Sequence, residues 1–530
     1  MAQDEITQLL EPKVLTNAKR IDKDGEKPLD QFNRNENGTI TDNLIIKGNN
    51  LLALHTLKEE FSGKVKLIYI APPYNTKSDS FKYNDSFTES TWLTFMHNRL
   101  KVAHSLLDKS GVLLVQINDH NQTYLKILLD EVFKKENFIN IISIRTKSPS
   151  GFKTVNLGLF ETAEYILMYG KSKNDFKYNP QYVDSGYDEN YTGYISNITE
   201  DPESWVIDDI RKIICREEGI DPDTTNQPYS KVKEKIGEGL YLQKLSDFAL
   251  TNANSVFRLT AIGDDAGKET LDAKKKSKIN SETIFIVERE QNDSRYILNG
   301  QEISFYSNKI KEIDGKKIST TILSNIWSDI AYEGIASEGG VTLKKGKKPE
   351  KLLRRIIEMS TNENDLVLDY HLGSGTTCAV AHKLKRQYIG LEQLDYGEND
   401  SVKRLNKGDS TGISKSVNWQ GGGNLVYLEL KKYNQSFIEQ IKNAKDAKAL
   451  LQIWEQMKGK SFLNYNVDIK KQDEHLEDFK ALSLAEQKQH LCELLDKNQL
   501  YVNISSLNNA DFACTEEEKK VTKDFYQIKK

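Results

Sequence analysis

The chain contains few of the residues that stabilise small secreted proteins or cross membranes. Its 530 residues include four cysteines and 10 prolines. The cysteines are far apart and form no C-x-x-C pairs, which argues against a disulfide framework or a structural zinc site. No apolar run approaches the roughly 18 to 20 residues that span a bilayer, and the first residues lack the apolar segment of a signal peptide. These absences predict a soluble, cytoplasmic protein with no membrane contact and no bound metal.

An excess of positive charge is missing as well. Lysine and arginine number 74 against 78 aspartates and glutamates, and the net charge is -4. Proteins that bind nucleic acids usually have an excess of basic residues, so this balance alone argues against DNA as a partner. The length allows two to four domains at about 100 to 200 residues each.

Patterns of strands and helices alternate along most of the chain. In 43–170, and again in 326–430, short apolar strands are followed by amphipathic helices. This predicts an α/β fold with a mostly parallel sheet and helices on both faces. In 171–325 the apolar runs are shorter and tyrosine, asparagine and aspartate are frequent, so this segment is predicted to be an inserted domain. The ends are predicted as an N-terminal extension, 1–42, and a helical C-terminal region, 431–530.

A glycine-containing loop in the second half of the core is the first candidate ligand site. The sequence DYHLGSGTT begins at Asp369, between the apolar segment LVL and the helical pattern AVAHKLK. Its glycines, Gly373 and Gly375, let the backbone turn sharply and approach a ligand. Glu392 ends the next predicted strand about 20 residues further on, where a carboxylate can accept hydrogen bonds from both hydroxyls of a ribose. An ordinary strand-to-helix turn is the alternative.

This loop has two candidate ligand classes. Cys378 stands where a nicotinamide dinucleotide site has its third glycine, which disfavours that class. S-adenosylmethionine (SAM) contains a ribose but no pyrophosphate, and it fits the arrangement at least as well.

A second candidate site follows the predicted strand KLIYI, which runs directly into Ala71-Pro72-Pro73-Tyr74. The prolines stiffen the loop and remove two N–H donors, so that carbonyl groups point outward beside an aromatic ring. Methyl transfer to an exocyclic amine such as adenine N6 requires acceptors for its N–H protons, because the nitrogen lone pair is delocalised into the ring. The Pro72 carbonyl and a side chain at position 71 would provide them, with Tyr74 stacking on a flipped base. A loop terminator with a core tyrosine is the alternative.

Together these motifs resemble the β group of DNA amino-methyltransferases, and most closely the Mod (modification) subunits of type III restriction-modification systems. In that family the D/N/S-P-P-Y loop precedes the SAM-binding glycine loop. The resemblance implies a doubly wound SAM-dependent methyltransferase sheet with circularly permuted motif order, an inserted target-recognition domain at 171–325 and a helical C-terminal region. It is carried by the segments IIKGNNLLALHTL, KVKLIYIAPPYN, GKKPEKLLRRII, LDYHLGSGTT and LLDKNQLYVNIS.

The resemblance also implies roles for individual residues. The catalytic loop would be Ala71, Pro72, Pro73 and Tyr74. SAM would be bound by the glycine loop, by an acid on the ribose, by a segment over the methionine end and by a turn near the adenine. These residues are Asp369, Gly373, Ser374, Gly375, Thr376, Glu392, Lys348, Pro349 and Asn49. A lysine cluster in the inserted domain would contact DNA phosphates, with a solvated loop as the alternative; it comprises Lys274, Lys275, Lys276 and Lys278. A second basic run, 344–355, lies against the predicted SAM site.

Ala71 departs from the family pattern. Relatives that methylate adenine N6 have aspartate there, and loss of one positioned catalytic group commonly lowers a rate about 10²- to 10³-fold. We therefore predict a sequence-specific DNA adenine-N6 methyltransferase subunit that Ala71 has impaired and that still folds and binds SAM and DNA. Because the flanking residues fit an active enzyme, a deliberate Asp-to-Ala change is favoured over natural decay.

Two alternatives stay open at this point. Relatives with serine before Pro-Pro-Tyr methylate cytosine N4, and a natural non-catalytic DNA-binding scaffold would also tolerate alanine. The partners that the resemblance implies are double-stranded DNA, a second Mod chain and a Res helicase-nuclease subunit.

Overall fold

The computed structural model describes residues 3–76, 85–148, 159–289, 293–343, 346–397, 400–407, 411–464, 466–496 and 499–528. The chain divides into two units, the second of which is inserted in the sequence of the first. The first unit consists of Met1–Asn179 and Ser324–Lys530, and the second is Pro180–Leu323.

Helices and strands follow one another along the chain in three stretches. The first unit begins with α1 (Gln3–Leu10), β1 (Leu15–Asp22), β2 (Gly25–Pro28), β3 (Leu44–Lys47), α2 (Asn50–Phe61), β4 (Val65–Ile70), α3 (Glu89–Leu106), β5 (Leu107–Ile117), α4 (Asp119–Phe133), β6 (Phe138–Arg145) and β7 (Ala163–Gly170). The second unit contains β8 (Tyr182–Asp184), β9 (Gly193–Ile195), β10 (Ile207–Asp209), α5 (Ile210–Glu217), α6 (Pro228–Ile236), α7 (Glu238–Thr251), β11 (Val256–Ala261), α8 (Lys268–Ile279), β12 (Phe285–Val287), β13 (Arg295–Leu298), β14 (Gln301–Phe305), β15 (Ile310–Ile313) and β16 (Lys316–Ile322). The first unit resumes with β17 (Ile326–Trp327), α9 (Glu350–Ser360), β18 (Leu366–Asp369), α10 (Thr376–Lys383), β19 (Gln387–Glu392), α11 (Ser401–Lys407), β20 (Leu425–Leu430), α12 (Asn434–Asn443), α13 (Ala447–Lys460), α14 (Ile469–Glu474), α15 (Leu476–Ala481), α16 (Leu484–Leu494) and α17 (Glu516–Phe525).

An 11-stranded mixed sheet runs through the first unit in the order β17-β6-β7-β5-β4-β18-β19-β3-β20-β1-β2. In this order the six strands from β5 to β20 are parallel to one another, whereas β7 and β1, which flank them, are antiparallel to both of their neighbours. From β4 the chain continues through α3 to β5 on one side, and from β18 it continues through α10 to β19 on the other. The order therefore reverses between β4 and β18, where doubly wound sheets bind ligands. The predicted doubly wound α/β fold is confirmed.

The central parallel strands are apolar almost throughout because both faces of the sheet are covered. In β4 only Lys66 is not buried, and all four residues of β18 are buried. Side chains of a strand alternate between faces, so burial at consecutive positions requires cover on both sides. The loops of the candidate site therefore begin at the ends of rigid, buried strands.

Both ends of the chain belong to the first unit. The predicted N-terminal extension supplies β1 and β2 at one edge of the sheet. The last helix, α17, packs on β1 through Val521 and Phe525, which lie in the main core, and the Leu15 N–H donates to the Thr522 hydroxyl at 3.0 Å. The rest of the C-terminal region is helical, as predicted, and α12, α13 and α16 enclose a small core of their own.

The second unit has two antiparallel sheets, in the orders β10-β9-β11-β14-β13-β12 and β15-β16-β8. It starts later than the predicted segment 171–325. The reason is that Asn179 still belongs to the first unit, where its side chain donates to the carbonyls of Glu358 and Thr361 at 3.0 and 3.1 Å. None of the helices in the described part of the chain is long and apolar enough to cross a membrane.

Candidate active site

The two predicted loops meet at one edge of the central sheet. β4 and β18 are parallel neighbours, with Leu67 opposite Val367 and Ile68 opposite Leu368, so the loops that follow them leave from the same edge. A cavity of about 330 Å³ lies there. It is lined by Asn50, Ala71, Pro73, Phe87, Phe95, Arg99, Tyr370, His371, Gly373, Leu391, Glu392, Gln393, Leu394 and Tyr396. Four of the predicted site residues are therefore in its wall, namely Ala71, Pro73, Gly373 and Glu392.

The glycine loop needs its glycines for two different reasons. Gly373 and Gly375 have positive φ angles of 55° and 79°, a conformation that residues with a Cβ adopt rarely. At Gly375 a Cβ would also lie 2.7 Å from Cβ of Ser401, so there is no room for it. At Gly373 a Cβ would meet no atom within 4 Å, which leaves that stretch of backbone open to the cavity.

Asp369 holds the glycine loop in shape. One carboxylate oxygen accepts from the His371 N–H at 2.9 Å, and the other accepts from the Thr377 hydroxyl at 2.6 Å. Burial raises the pKa of Asp369 to about 7, although both hydrogen bonds oppose the change. Asp369 does not line the cavity, so its effect on a ligand is exerted through the loop.

The raised pKa makes Asp369 a source of pH-dependent stability. Below its ordinary pKa of 3.8 the carboxyl is protonated in folded and unfolded chains alike. Between pH 3.8 and about 7 the unfolded chain loses this proton first, so folding stability falls as pH rises. At 1.36 kcal/mol per pKa unit the loss is about 4 kcal/mol. Urea unfolding of the parent and of Asp369→Asn, from pH 4 to 8, should show this difference between the curves; parallel curves would contradict the prediction.

Glu392 ends β19 in the wall of the cavity and is fixed there by backbone groups. Its carboxylate accepts from the N–H groups of Gly373, Gln393 and Leu394 at 2.8, 2.9 and 2.8 Å. Burial raises its pKa, while these hydrogen bonds act in the opposite direction. A carboxylate has about four lone-pair positions, so Glu392 can accept a further hydrogen bond from a ligand hydroxyl.

A buried ionic network supports the glycine loop from behind. Arg404 donates to the Thr376 hydroxyl and to Glu350, both at 2.8 Å. Lys383 donates to both oxygens of Glu350 at 2.9 and 2.8 Å. Ser374 is also buried, and its hydroxyl lies 3.4 Å from that of Thr376. The side chains of Ser374 and Thr376, predicted to bind the cofactor, are thus used to anchor the loop.

The Pro-Pro-Tyr loop is held by two side chains that sequence analysis missed. The indole of Trp92 donates to the Pro73 carbonyl at 2.8 Å, and Asn121 donates to the Tyr74 carbonyl at 2.7 Å. Among the residues that the structure describes, none donates to the Pro72 carbonyl. Within the described ranges, the carbonyl that the sequence singled out as an amine acceptor is therefore not bonded to another group of the protein, although Pro72 is buried and does not line the cavity.

Tyr74 and Lys348 are in contact, although the sequence assigned them to catalysis and to the cofactor separately. Lys348 Nζ donates to the Tyr74 hydroxyl at 2.7 Å and to Glu164 at 3.1 Å. The Tyr74 hydroxyl in turn donates to Glu164 at 2.7 Å, and burial raises the pKa of Tyr74 well above its usual value. Pro349 follows at the N-cap position of α9. The side chain of Lys348 therefore lies at the Pro-Pro-Tyr loop.

At the start of α2, Asn50 lines the cavity, whereas Asn49, which was predicted to lie near the adenine, does not. The Asn49 side chain caps α2 by accepting from two of its backbone N–H groups at 3.1 and 3.4 Å, so it is occupied within the helix. Asn50 lines the cavity and accepts from Arg99 Nε at 2.7 Å, while its amide donates to the Tyr370 carbonyl at 2.9 Å. The structure therefore places Asn50, and not Asn49, in the wall of the cavity.

Several polar residues of the site were not found from sequence. Arg99 and His371 line the cavity. Burial lowers the pKa of Arg99 to about 10 and, helped by the charge of Arg99, lowers that of His371 to about 3. Near Tyr74, hydrogen bonds of the Gln116 side chain connect residues of three neighbouring strands and one loop. This polar cluster comprises Tyr69, Gln116, Glu164 and Tyr332. A glutamate and a glutamine inside apolar strands were the only signals available.

The predicted DNA-contacting lysines lie on α8 of the second unit. Lys274 is half-buried, and its ammonium group donates to the Ile262 carbonyl at 2.7 Å. Lys275, Lys276 and Lys278 are exposed. Three of the four side chains are therefore accessible to a phosphate.

The second basic run is largely used within the protein. Lys344 and Lys345 lie outside the described residues. Lys347 is buried and donates to backbone carbonyls, including that of Val341 at 2.7 Å, and Arg355 pairs with Asp329 at 2.5 Å. These cations stabilise the fold near the site, so the run carries less free charge than its sequence indicates.

The fold and the two loops define the class of protein as a DNA methylase. A family model with that description matches residues 65–399. Over the full chain the sequence is 40% identical to the probable type III restriction-modification enzyme HindVI Mod subunit of Haemophilus influenzae, with 100% of this chain and 73% of that protein covered. The EcoPI Mod subunit of Escherichia phage P1 is 26% identical, with 70% of this chain and 59% of that protein covered. The chain belongs to the family of type III Mod subunits, as its motifs predicted.

Two solved structures are also similar to the chain. A DNA modification methylase from Thermus thermophilus, complexed with S-adenosyl-L-methionine, has a TM-score of 0.33 at 14% identity and covers 73% of this chain and 98% of its own. The cytosine-N4-specific PvuII DNA methyltransferase also has a TM-score of 0.33 at 14% identity and covers 73% of this chain and 94% of its own. Membership of the DNA methylase family itself makes SAM the cofactor, as predicted.

Proposed function

We propose that the chain is the modification and DNA-recognition subunit of a type III restriction-modification enzyme, that it methylates adenine N6 at a specific sequence, and that Ala71 impairs it. One observation carries the proposal. β4 and β18 are paired in register, and the Pro-Pro-Tyr loop and the glycine loop therefore open into the same cavity.

The residues of the Pro-Pro-Tyr loop suit an exocyclic amine. The Pro72 carbonyl can accept one N–H of the amine, and the ring of Tyr74 can stack on the flipped base. The second N–H needs an acceptor at position 71, where alanine has none. Without it the nitrogen lone pair stays delocalised in the ring, so the amine is a poor acceptor of the methyl group that bound SAM would supply.

The remaining site residues divide into those that would touch the cofactor and those that support them. Glu392 would accept from one ribose hydroxyl, the open backbone at Gly373 would allow close approach, and we propose that Asn50 lies near the adenine, the role predicted for Asn49. Support comes from the rest of the predicted set, which is Asp369, Ser374, Gly375, Thr376, Lys348 and Pro349.

A single experiment separates this proposal from its two alternatives. The full chain carrying Ala71→Asp is incubated with tritiated SAM and unmethylated DNA, which is then digested to nucleosides. Labelled N6-methyladenine supports the proposal, and labelled N4-methylcytosine supports a cytosine enzyme. No label, with SAM and DNA still bound, supports a non-catalytic scaffold.

The second unit is proposed to recognise the DNA target. Replacing its three exposed lysines, as Lys275→Gln/Lys276→Gln/Lys278→Gln, is expected to weaken binding to all sequences alike. The slope of log affinity against log salt concentration should become shallower by about 2 to 3, since each lost phosphate contact removes roughly 0.9. Fluorescence anisotropy at several salt concentrations measures both quantities.

The matched control for this triple variant is Lys27→Gln/Lys109→Gln/Lys173→Gln, which removes three exposed lysines of the first unit. It changes the net charge equally. Equal slopes for the two variants would contradict a specific role for α8.

The proposed partners follow from family membership. Mod subunits are parts of restriction-modification enzymes by name, and we propose that this chain forms a homodimer and binds a Res subunit. The helices α12, α13 and α16 form a separate core and could present the surface for either contact.

A further inference from the structure

Glu164 is a charged residue in an otherwise apolar strand beside the catalytic loop. Further along β7, Ile166 and Leu167 are fully buried, and 19% of the Glu164 side chain is exposed. One oxygen, Oε2, accepts from the Tyr74 hydroxyl at 2.7 Å, from Gln116 Nε2 at 2.6 Å and from Lys348 Nζ at 3.1 Å. Burial of a carboxylate costs free energy, and these three hydrogen bonds compensate for the lost contacts with water.

The contacts form a closed triangle of three side chains. Lys348 donates to Tyr74 and to Glu164, and Tyr74 donates to Glu164. The tyrosine hydroxyl is thus both donor and acceptor, and Lys348 Nζ lies 5.0 Å from the centre of its ring. Both capacities of the hydroxyl are used, so the ring is fixed in one orientation.

The charges of Lys348 and Glu164 stabilise each other. Only 10% of the Lys348 side chain is exposed, and a buried ammonium group needs a nearby anion. Burial alone would raise the pKa of Glu164, but the charge of Lys348 and the hydrogen bonds hold it below its usual value. Glu164 is therefore ionised at neutral pH and is the carboxylate that pairs with Lys348.

We propose that Glu164 is a positioning residue of the methyltransferase site. It touches neither base nor cofactor; it fixes the ring of Tyr74, on which the base would stack, and keeps Lys348 at the catalytic loop. This inference deepens the proposed function and rests on it.

The first test uses the chain as it stands and does not require activity. Lysines are acetylated with acetic anhydride, and peptide mass spectrometry gives the rate at each site. In Glu164→Gln, Lys348 loses a charge-assisted bond worth about a factor of 10 or more, so its acetylation should accelerate at least that much. Acetylation of the exposed Lys27 serves as the internal standard for the reactivity of the reagent. The matched control variant is Glu161→Gln, which replaces an exposed glutamate just before β7. A change at Lys348 below twofold overturns the proposal.

The second test is a double-mutant cycle in the Ala71→Asp protein, with Glu164→Gln, Tyr74→Phe and both together. If Glu164 acts through Tyr74, each single change lowers kcat and the double variant is no slower than the slower single one. Effects that multiply would overturn the proposal. If the Ala71→Asp parent transfers no methyl group, the proposed function fails, while the acetylation result still decides whether Glu164 positions Lys348.

Discussion

The Ala71→Asp variant is expected to transfer methyl groups about 10²- to 10³-fold faster than the chain with alanine. The rest of the site is already assembled. No group among the described residues donates to the Pro72 carbonyl, the loop is fixed by Trp92 and Asn121, and Ala71 lines the cavity. An aspartate there adds the missing acceptor for the second N–H of the amine without disturbing these contacts. Initial rates with tritiated SAM at saturating DNA measure the gain.

Two control variants are needed. One tests whether the gain comes from the carboxylate or from the larger side chain, and the other tests which base is methylated. Ala71→Val adds bulk without an oxygen and should leave the rate at the level of alanine. Ala71→Ser adds a hydroxyl, and recovery of N4-methylcytosine formation by this variant alone would favour the cytosine enzyme. If Ala71→Asp binds SAM and DNA but shows no gain in rate, alanine at this position is not the cause of impairment.

The meeting of the two loops was predictable because each motif is local. The Pro-Pro-Tyr loop and the glycine loop each follow a short apolar strand, and parallel strands of one sheet end at the same edge. The family resemblance supplied the remaining step, which is that Ala71 and Gly373 belong to one site. Burial of both strands on both faces indicates central positions in the sheet, whereas their register is known only from the structure.

The triangle of Tyr74, Glu164 and Lys348 could not be predicted in this way. Its members come from β7 and from loops far apart in the sequence, and no local pattern links them. The same limit applies to charge. The basic run at 344–355 looks like one surface in the sequence, but Lys347 is buried against backbone carbonyls. Which cations are free depends on partners that only the folded chain brings together.

The position of the Asn49 side chain outside the cavity wall has a local cause. Asparagine before the first turn of a helix is a preferred N-cap, because its side chain accepts from the free N–H groups there. Asn49 precedes α2 directly and makes these bonds. Helix capping competes with ligand binding for the same amide oxygen, and the next residue, Asn50, is left to line the cavity.

Glu350→Gln is expected to lower the free energy of unfolding of the first unit by about 3 to 5 kcal/mol, because it leaves buried cations without their carboxylate. Glu350 and Arg404 are fully buried, and Lys383 is nearly so. Since Arg404 also holds the Thr376 hydroxyl, the glycine loop should loosen and SAM affinity should fall. Urea unfolding followed by circular dichroism measures the first effect, and titration calorimetry measures the second.

Two further variants show whether Glu350→Gln lowers the free energy of unfolding through unbalanced charge or through lost hydrogen bonds. Glu516→Gln breaks an exposed pair with Lys519, in which the glutamate is 90% exposed, and should leave stability nearly unchanged, because exposed ion pairs contribute little. Adding Lys383→Met to Glu350→Gln removes one of the two cations that the glutamate neutralises. If unbalanced charge is the main penalty, the double variant should be more stable than Glu350→Gln alone, although it has lost more hydrogen bonds. A double variant less stable than either single one would show that the bonds, and not the charges, hold the network behind the glycine loop.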